Sequence, residues 1–153
     1  MTSDLTYVKV RNTWHYVCIF LDLFNREIIG YSAGRHKTSR LVYEALQTIH
    51  TDLRRIQWVH SDRGGEFKAG NLQAIWDAFG IQQSLSRKGC PYDNAVSEST
   101  FHILKTEFVR GWSFDSLTQL RQELAVYVYW YNHIRIHGTL DYQTPIAVRE
   151  MTL

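Results

Sequence analysis

Three acidic residues, Asp4, Asp62 and Glu98, occupy positions from which carboxylates could act on one substrate. Asp62 ends a short apolar run and precedes two glycines, which predicts a place at the carboxyl end of a strand, where ligands gather in α/β sheets. Glu98 falls in the first turn of a predicted helix, and Asp4 opens a strand. Clustered carboxylates repel one another unless cations neutralise them, and hard oxygen ligands suit Mg²⁺ or Mn²⁺. The set therefore indicates a divalent-metal site for phosphoryl transfer.

Each acid also has an ordinary structural explanation. Asp62 before Arg63 and two glycines suits a turn, and an acid such as Glu98 is favourable in the first turn of any helix. Asp4 could be a polar residue at the mouth of a strand. Asp22 competes as a ligand because it ends the second predicted strand, but a turn residue explains it better. The metal hypothesis therefore depends on the set of acids, not on one member.

Cations accompany the acids. Lys105 lies seven residues after Glu98, which places the two within about 20° of each other around a helix, and His102 lies about 40° to the other side. Lys and Arg also crowd into residues 35–40 and into Arg87 and Lys88. The net charge of only +2 does not itself predict nucleic-acid binding, so these clusters could equally be solvated surface.

The composition limits the class of protein. A length of 153 residues with 44% hydrophobic residues suits one domain, residues 1–153, with a real core. No apolar run of 18 residues and no secretory signal pattern occurs, and Cys18 and Cys90 form no disulfide framework. We therefore expect a cytoplasmic protein with no membrane partner and with reduced thiols.

The elements that must position the acids follow from hydrophobic periodicity. Strong β-formers between short polar breaks predict strands at 5–10, 14–21, 27–33, 56–60 and 81–85. Helical periodicity and capping residues predict helices at about 39–53, 69–79, 93–110 and 116–137. The order βββαβαβαα predicts an α/β fold: a mixed five-stranded sheet with helices on both faces.

These motifs together resemble those of a known family. Residues 62 and 98 have 35 residues between them, and matching words run through nearly the whole chain in order. The words are residues 4–7 (DLTY), 21–26 (LDLFNR), 60–64 (HSDRG), 86–89 (SRKG), 92–95 (YDNA), 98–99 (ES), 104–107 (LKTE), 131–132 (YN) and 144–145 (TP). The chain resembles the catalytic core of transposases from bacterial insertion sequences, in the DDE transposase and retroviral integrase superfamily.

The resemblance carries expectations for fold and chemistry. It implies a ribonuclease-H-like fold, and it implies that Asp4, Asp62 and Glu98 hold Mg²⁺ or Mn²⁺, two ions when DNA is bound. It also implies nicking at the ends of a mobile element, strand transfer by the freed 3′-hydroxyl, and a homo-oligomer acting on element ends and target DNA. Lys105 is expected to meet DNA near the scissile phosphate. Further expected DNA contacts are Arg63, Arg87, Lys88 and His102.

The chain departs from the family pattern in three places. No tryptophan precedes Asp4 and no helix-turn-helix segment is present, so we expect a catalytic core cut from a longer transposase whose N-terminal DNA-binding domain lies outside this chain. Near the end, Asp141 precedes Tyr142 where the family often has glycine, which leaves the geometry of that turn open.

Other interpretations remain at this stage. The same fold supports nucleases that cut without joining, and a catalytically silent DNA-binding or assembly module is a third candidate. His133 and His137 are spaced for a zinc pair but have no cysteine or third ligand nearby. The aromatic residues between Tyr127 and Tyr131 could stack on bases, although core packing and a subunit interface explain them better.

Overall fold

The computed structural model describes residues 1–85 and 95–153. Its sheet contains five strands: β1 (Thr2–Val10), β2 (Thr13–Leu21), β3 (Ile28–Gly34), β4 (Trp58–Ser61) and β5 (Gln82–Leu85). The strands lie in the order β3-β2-β1-β4-β5. The first three form an antiparallel meander, whereas β4 is parallel to both β1 and β5. The predicted mixed five-stranded sheet is therefore confirmed.

The strand β2 lies between β1 and β3 and is buried on both faces. Val17 and Ile19 point into one hydrophobic cluster, and Cys18 and Phe20 point into the other, as the two-residue period requires. All four are at most 1% exposed. This double burial explains the nearly continuous apolar run in the sequence.

The helices cover both faces of the sheet, as predicted. The helices α1 (Ser39–Gln47) and α2 (Gly70–Phe79) contribute to the cluster that contains Cys18, whereas α3 (Ala95–Leu104) and α4 (Leu117–His133) contribute to the other. After Leu104 the chain continues as a π-helical turn, Lys105–Val109. Within the described part of the chain, no helix is long and apolar enough to cross a bilayer.

Both ends of α1 differ from the prediction. The residue that begins α1 as N-cap is Thr38, not Ser39, and α1 ends at Gln47, before Ile49. The prediction ran too far because Ile49 and Leu53 do pack against the same core, but they do so from outside the helix. The caps expected at Asp93 or Asn94 lie outside the described residues.

The predicted end of α4 is also wrong. The N-terminus is as expected, since Ser116 Oγ accepts from the Gln119 N–H at 3.1 Å. The helix stops at His133, not near His137. The N–H groups of Ile134 and Arg135 both turn back to the Trp130 carbonyl, at 2.9 and 2.8 Å. Arg135 then forms an ion pair with Glu107 at 2.7 Å, which holds the chain off the helical path.

A fifth helix, α5 (Pro145–Met151), was not predicted. Its cap is nevertheless visible in the sequence, because Thr144 accepts from the Ala147 N–H at 3.2 Å and Pro145 occupies the first turn. The ion pair between Arg149 and the buried Glu27, at 2.7 Å, holds α5 beside the start of β3.

Candidate active site

The pairing of β1 with β4 brings two of the predicted acids together. The two strands are parallel, and their register pairs Thr2 with His60. Asp4 and Asp62 each lie two residues beyond that pair, so the period of two places them toward the same face of neighbouring strands. β4 ends at Ser61, so Asp62 stands where the chain leaves the sheet, as predicted.

The environment of Asp4 disfavours its charged form. Burial, and to a smaller extent the negative charge of Asp62, raise the pKa of this carboxyl to about 6. The N–H of Leu5, which donates to Asp4 Oδ1 at 2.8 Å, and the charges of Lys37 and Lys105 act in the opposite direction. An ionised Asp4 therefore costs free energy that a bound cation would relieve.

Asp62 serves the local turn as well. Its Oδ1 accepts the Gly64 N–H at 2.8 Å, which is the turn chemistry expected from the sequence. A Cβ on residue 64 would lie 2.8 Å from Asp62 Oδ1 and 2.7 Å from Glu66 Cδ, so a side chain there would displace both carboxylates. The turn explanation and the site explanation of Asp62 are thus compatible.

The sequence analysis missed two charged residues of this region, Lys37 and Glu66. Lys37 Nζ lies 3.1 Å from Glu66 Oε1, and the Glu66 side chain is only 9% exposed. The hydrogen bond to Glu66 raises the pKa of Lys37, and the charges of Asp62 and Asp4 raise it as well. The sequence offered one weak signal, an acid four residues after Asp62.

Glu98 lies in the first turn of α3 and is exposed. The helix packs against β1 through Phe101 and Leu104, which share a hydrophobic cluster with Val8. Among residues 1–85 and 95–153, no three His, Cys, Asp or Glu side chains lie close enough together to hold a metal ion. The participation of Glu98 therefore remains a prediction.

The structure describes three of the five predicted DNA-contacting residues. Lys105 Nζ lies 5.2 Å from the centroid of the Tyr7 ring, and its charge lowers the pKa of Asp4, so this lysine borders the acidic site. Arg63 is exposed beside Asp62, and His102 is exposed on α3. Arg87 and Lys88 lie outside the described residues.

The competing sites are weaker. Asp22 Oδ1 accepts the Phe24 N–H at 2.9 Å, which is a turn contact. His137 uses both ring nitrogens, with Nε2 3.3 Å from the Tyr131 carbonyl and Nδ1 3.1 Å from Arg135. His133 Nδ1 lies 3.0 Å from the Tyr129 carbonyl. These contacts leave no zinc pair formed by the two histidines.

The strand order of the sheet, with helices packed on both of its faces, defines the class of fold. The fold matches the HTLV-2 integrase catalytic core domain in complex with magnesium, with a TM-score of 0.68 and 14% identity over 96% of this chain and 93% of that one. It also matches a chain of the simian T-cell lymphotropic virus intasome in complex with PP2A regulatory subunit B56 gamma, with a TM-score of 0.72 and 20% identity over 89% of this chain and 49% of that one. The predicted ribonuclease-H-like fold is confirmed.

Sequence comparison then gives the family. Models of the integrase core domain match residues 1–91 and 98–153, and the chain belongs to this family. Curated relatives include the transposase for insertion sequence element IS904 of Lactococcus lactis subsp. lactis, 33% identical over 94% of this chain and 58% of that protein. Transposase InsF for insertion sequence IS3fB of Escherichia coli is 37% identical over 89% of this chain and 48% of that protein. The chain spans about half the length of these relatives.

Proposed function

We propose that this chain is the catalytic core of a DNA transposase, which nicks DNA strands and transfers them to a target in a divalent-metal-dependent reaction. The observation that carries the proposal is the register of β1 and β4, which sets Asp4 and Asp62 side by side just beyond the paired position. The raised pKa of Asp4 supports it, because a half-buried carboxyl next to a second carboxyl favours a cation. The transposase relatives support the choice of DNA as substrate.

The residues present fit Mg²⁺ or Mn²⁺, whose preferred ligands are carboxylate oxygens. Asp4, Asp62 and Glu98 would hold the metal as two ions once DNA is present. Bound ions of this kind supply an activated water or 3′-hydroxyl and stabilise the departing oxygen. Lys105, whose charge acts on Asp4, would bind a phosphate of the strand being cut. Lys37 holds Glu66 and adds positive charge beside both aspartates.

The proposal includes the partners. The substrates would be the ends of a mobile element and a target duplex, and a homo-oligomer would hold two ends together. Among the described residues, we propose that Arg63, His102 and Lys105 contact DNA. The sequence-based prediction also includes Arg87 and Lys88.

Metal binding is the first test. Isothermal titration with Mn²⁺ would compare the chain with the Asp62→Asn, Glu98→Gln double variant and with a matched control, Asp77→Asn, Glu150→Gln, in which two exposed acids away from the site lose the same charge. We expect saturable binding in the chain and in the control, and its loss in the double variant. Equal binding by all three proteins would contradict the assignment of the acids.

Strand joining is the second test, since it separates a transposase from a nuclease of the same fold. The chain would be incubated with a labelled, pre-cut element end, a target plasmid and Mn²⁺. Labelled plasmid products that disappear in the Asp62→Asn, Glu98→Gln variant are the expected result. Cleavage without joining would indicate the nuclease alternative.

A further inference from the structure

The β1–β2 hairpin carries an exposed pair of aromatic rings close to the acidic site. Tyr7 is 57% and Trp14 is 53% exposed. Their rings meet edge to face, with centroids 5.1 Å apart and an interplanar angle of 86°. The register pairs Lys9 with Trp14, so Tyr7 and Trp14 are diagonal neighbours on the two strands. Two large rings this exposed contribute little to the stability of a folded domain, and such an exposed pair is typical of a binding surface.

Two lysines flank these rings. Lys9 Nζ lies 5.9 Å from the Trp14 ring centroid, and Lys105 Nζ lies 5.2 Å from that of Tyr7. Among the described residues, neither lysine has a carboxylate within ion-pair distance. From Leu5 to Leu21 the hairpin contains no acidic residue. The four side chains, here called the aromatic platform, thus combine two π surfaces with two positive charges that form no ion pair among the described residues.

The chemistry of this platform matches a single nucleic-acid strand. Bases stack on exposed aromatic rings whatever their identity, and the phosphates between them pair with lysines. In a duplex the base faces are already stacked, so only a frayed or unpaired strand offers both features at once. A protein partner would need an apolar contact that the two ammonium groups oppose.

The position of the platform relates it to the proposed chemistry. Tyr7 follows Asp4 by three residues along β1, about 10 Å, and this odd spacing directs the two side chains to opposite faces of the strand. Lys105 belongs to the platform and also acts electrostatically on Asp4. We infer that Tyr7, Trp14 and Lys9, together with Lys105, bind the unpaired DNA strand next to the nucleotide held at the acidic site. This inference rests on the proposed function for its choice of DNA.

Fluorescence anisotropy of a fluorescein-labelled oligothymidine, measured in EDTA, tests the platform without the metal. We expect Trp14→Ala and Tyr7→Ala each to weaken binding about tenfold, because one stacked base is lost. Trp14→Phe keeps a ring and should recover most of the affinity. Trp58→Ala and Tyr142→Ala are matched controls, since both rings are exposed elsewhere and should leave the affinity unchanged. Lys9→Gln should reduce the slope of log affinity against log salt by about 0.7.

Binding that is absent in the unsubstituted chain, or equally strong in Trp14→Ala and Trp58→Ala, would overturn the inference. Circular dichroism of each variant would confirm that the hairpin is folded. The Mn²⁺ titration separates this result from the proposed function. If the Asp62→Asn, Glu98→Gln variant loses Mn²⁺ binding but Trp14→Ala binds the oligothymidine as tightly as the unsubstituted chain, only the platform is rejected. If the Asp62→Asn, Glu98→Gln variant keeps its Mn²⁺ binding but Trp14→Ala binds the oligothymidine more weakly, only the catalytic assignment is rejected.

Discussion

At the scale of single residues, the site is shaped by the cost of ionising Asp4. Its carboxyl is half-buried, has the charge of Asp62 beside it and receives one backbone hydrogen bond in compensation. A residue that served only the fold would be more stable as an amide or as an apolar side chain. Retention of a carboxyl in such a place is typical of a functional site.

The first prediction concerns this cost. Asp4 has a pKa of about 6 in the folded chain, above the value of about 3.9 expected when unfolded, so the folded state binds the extra proton between these values. Its contribution to stability is therefore fully present below about pH 4 and is lost as the pH rises through 6. We expect Asp4→Asn to raise the free energy of unfolding by about 2 kcal/mol at pH 7 without metal, and to change it little at pH 4.

Urea unfolding in EDTA at several pH values would measure this difference. Asp115→Asn removes an exposed acid in the segment before α4 and is the matched control, expected to change stability by less than about 0.5 kcal/mol. A variant at residue 4 that is less stable than the parent at pH 7 would contradict the prediction. Added Mn²⁺ should narrow the gap, since it would stabilise only the chain that keeps the carboxylate.

The second prediction concerns Lys37. Replacing it with methionine leaves the nearly buried Glu66 without its ion-pair partner and removes a positive charge that acts on both aspartates. Because Lys37 itself is about half exposed, we expect a loss of only about 1 kcal/mol of stability. Mn²⁺ affinity should rise a few-fold, since less positive charge opposes the ion. Arg40→Met, which breaks a surface pair with Glu44, should leave Mn²⁺ affinity unchanged; weaker Mn²⁺ binding by Lys37→Met would refute this role.

Asp62 and Lys105 could be predicted from the sequence because their signals are local: a strand end before glycines, and helical spacing from Glu98. The involvement of Lys37 and Glu66 could not, since their contact joins the loop before α1 to the turn after β4. Lys37 was predicted only as part of a basic surface cluster. Asp4 had the weakest local signal in the sequence. Its position next to Asp62 depends on the register between β1 and β4, which is a contact between distant segments of the chain.

At the scale of elements, the strands were predictable because strong β-formers lie between short polar breaks, and burial of β2 on both faces makes its sequence a nearly continuous apolar run. The helix ends were less predictable, because tertiary contacts determine where each helix ends. α4 stops where Arg135 is drawn to Glu107, a partner 28 residues earlier in the chain. The helix α5 has only seven residues, too few for a clear hydrophobic period, although its Thr144 cap could have indicated it.

The third prediction concerns the turn before α5. Asp141 and Tyr142 both adopt positive φ, 51° and 59°, a region that costs side chains other than glycine about 1 kcal/mol. The question left by the sequence is thus answered: the turn keeps the left-handed geometry that glycine favours. Asp141→Gly should stabilise the chain by about 0.5–1 kcal/mol in thermal or urea unfolding. Thr139→Gly, at a residue without positive φ, should instead destabilise it; the same sign for both variants would refute the argument.

At the scale of the whole molecule, α4 presents an apolar face that nothing in the described chain covers. Val126 is 65%, Tyr129 60%, Trp130 37% and Ile134 59% exposed. These residues fall within an arc of about 140° around the helix axis. The aromatic residues between Tyr127 and Tyr131 thus fall into two groups. Tyr127 and Tyr131 pack in the core, which is one of the two explanations given in the sequence analysis, whereas Tyr129 and Trp130 are exposed. The other explanation, a subunit interface, is still a prediction.

Self-association through this face is the fourth prediction. Apolar side chains in such an arc lose contact with water when a second copy covers them, which favours a homo-oligomer. Sedimentation velocity over a range of chain concentrations should show a reversible dimer or larger species. Val126→Glu should shift the chain toward monomer by burying an unpaired charge at the interface. Thr118→Glu adds the same charge to an exposed position of α4 about 12 Å along the helix axis from Val126, and this variant should sediment as the parent does. If the parent stayed monomeric at every concentration, or if both variants dissociated it equally, the oligomer would have to form through another surface, and the proposed pairing of two DNA ends would need a different arrangement of subunits.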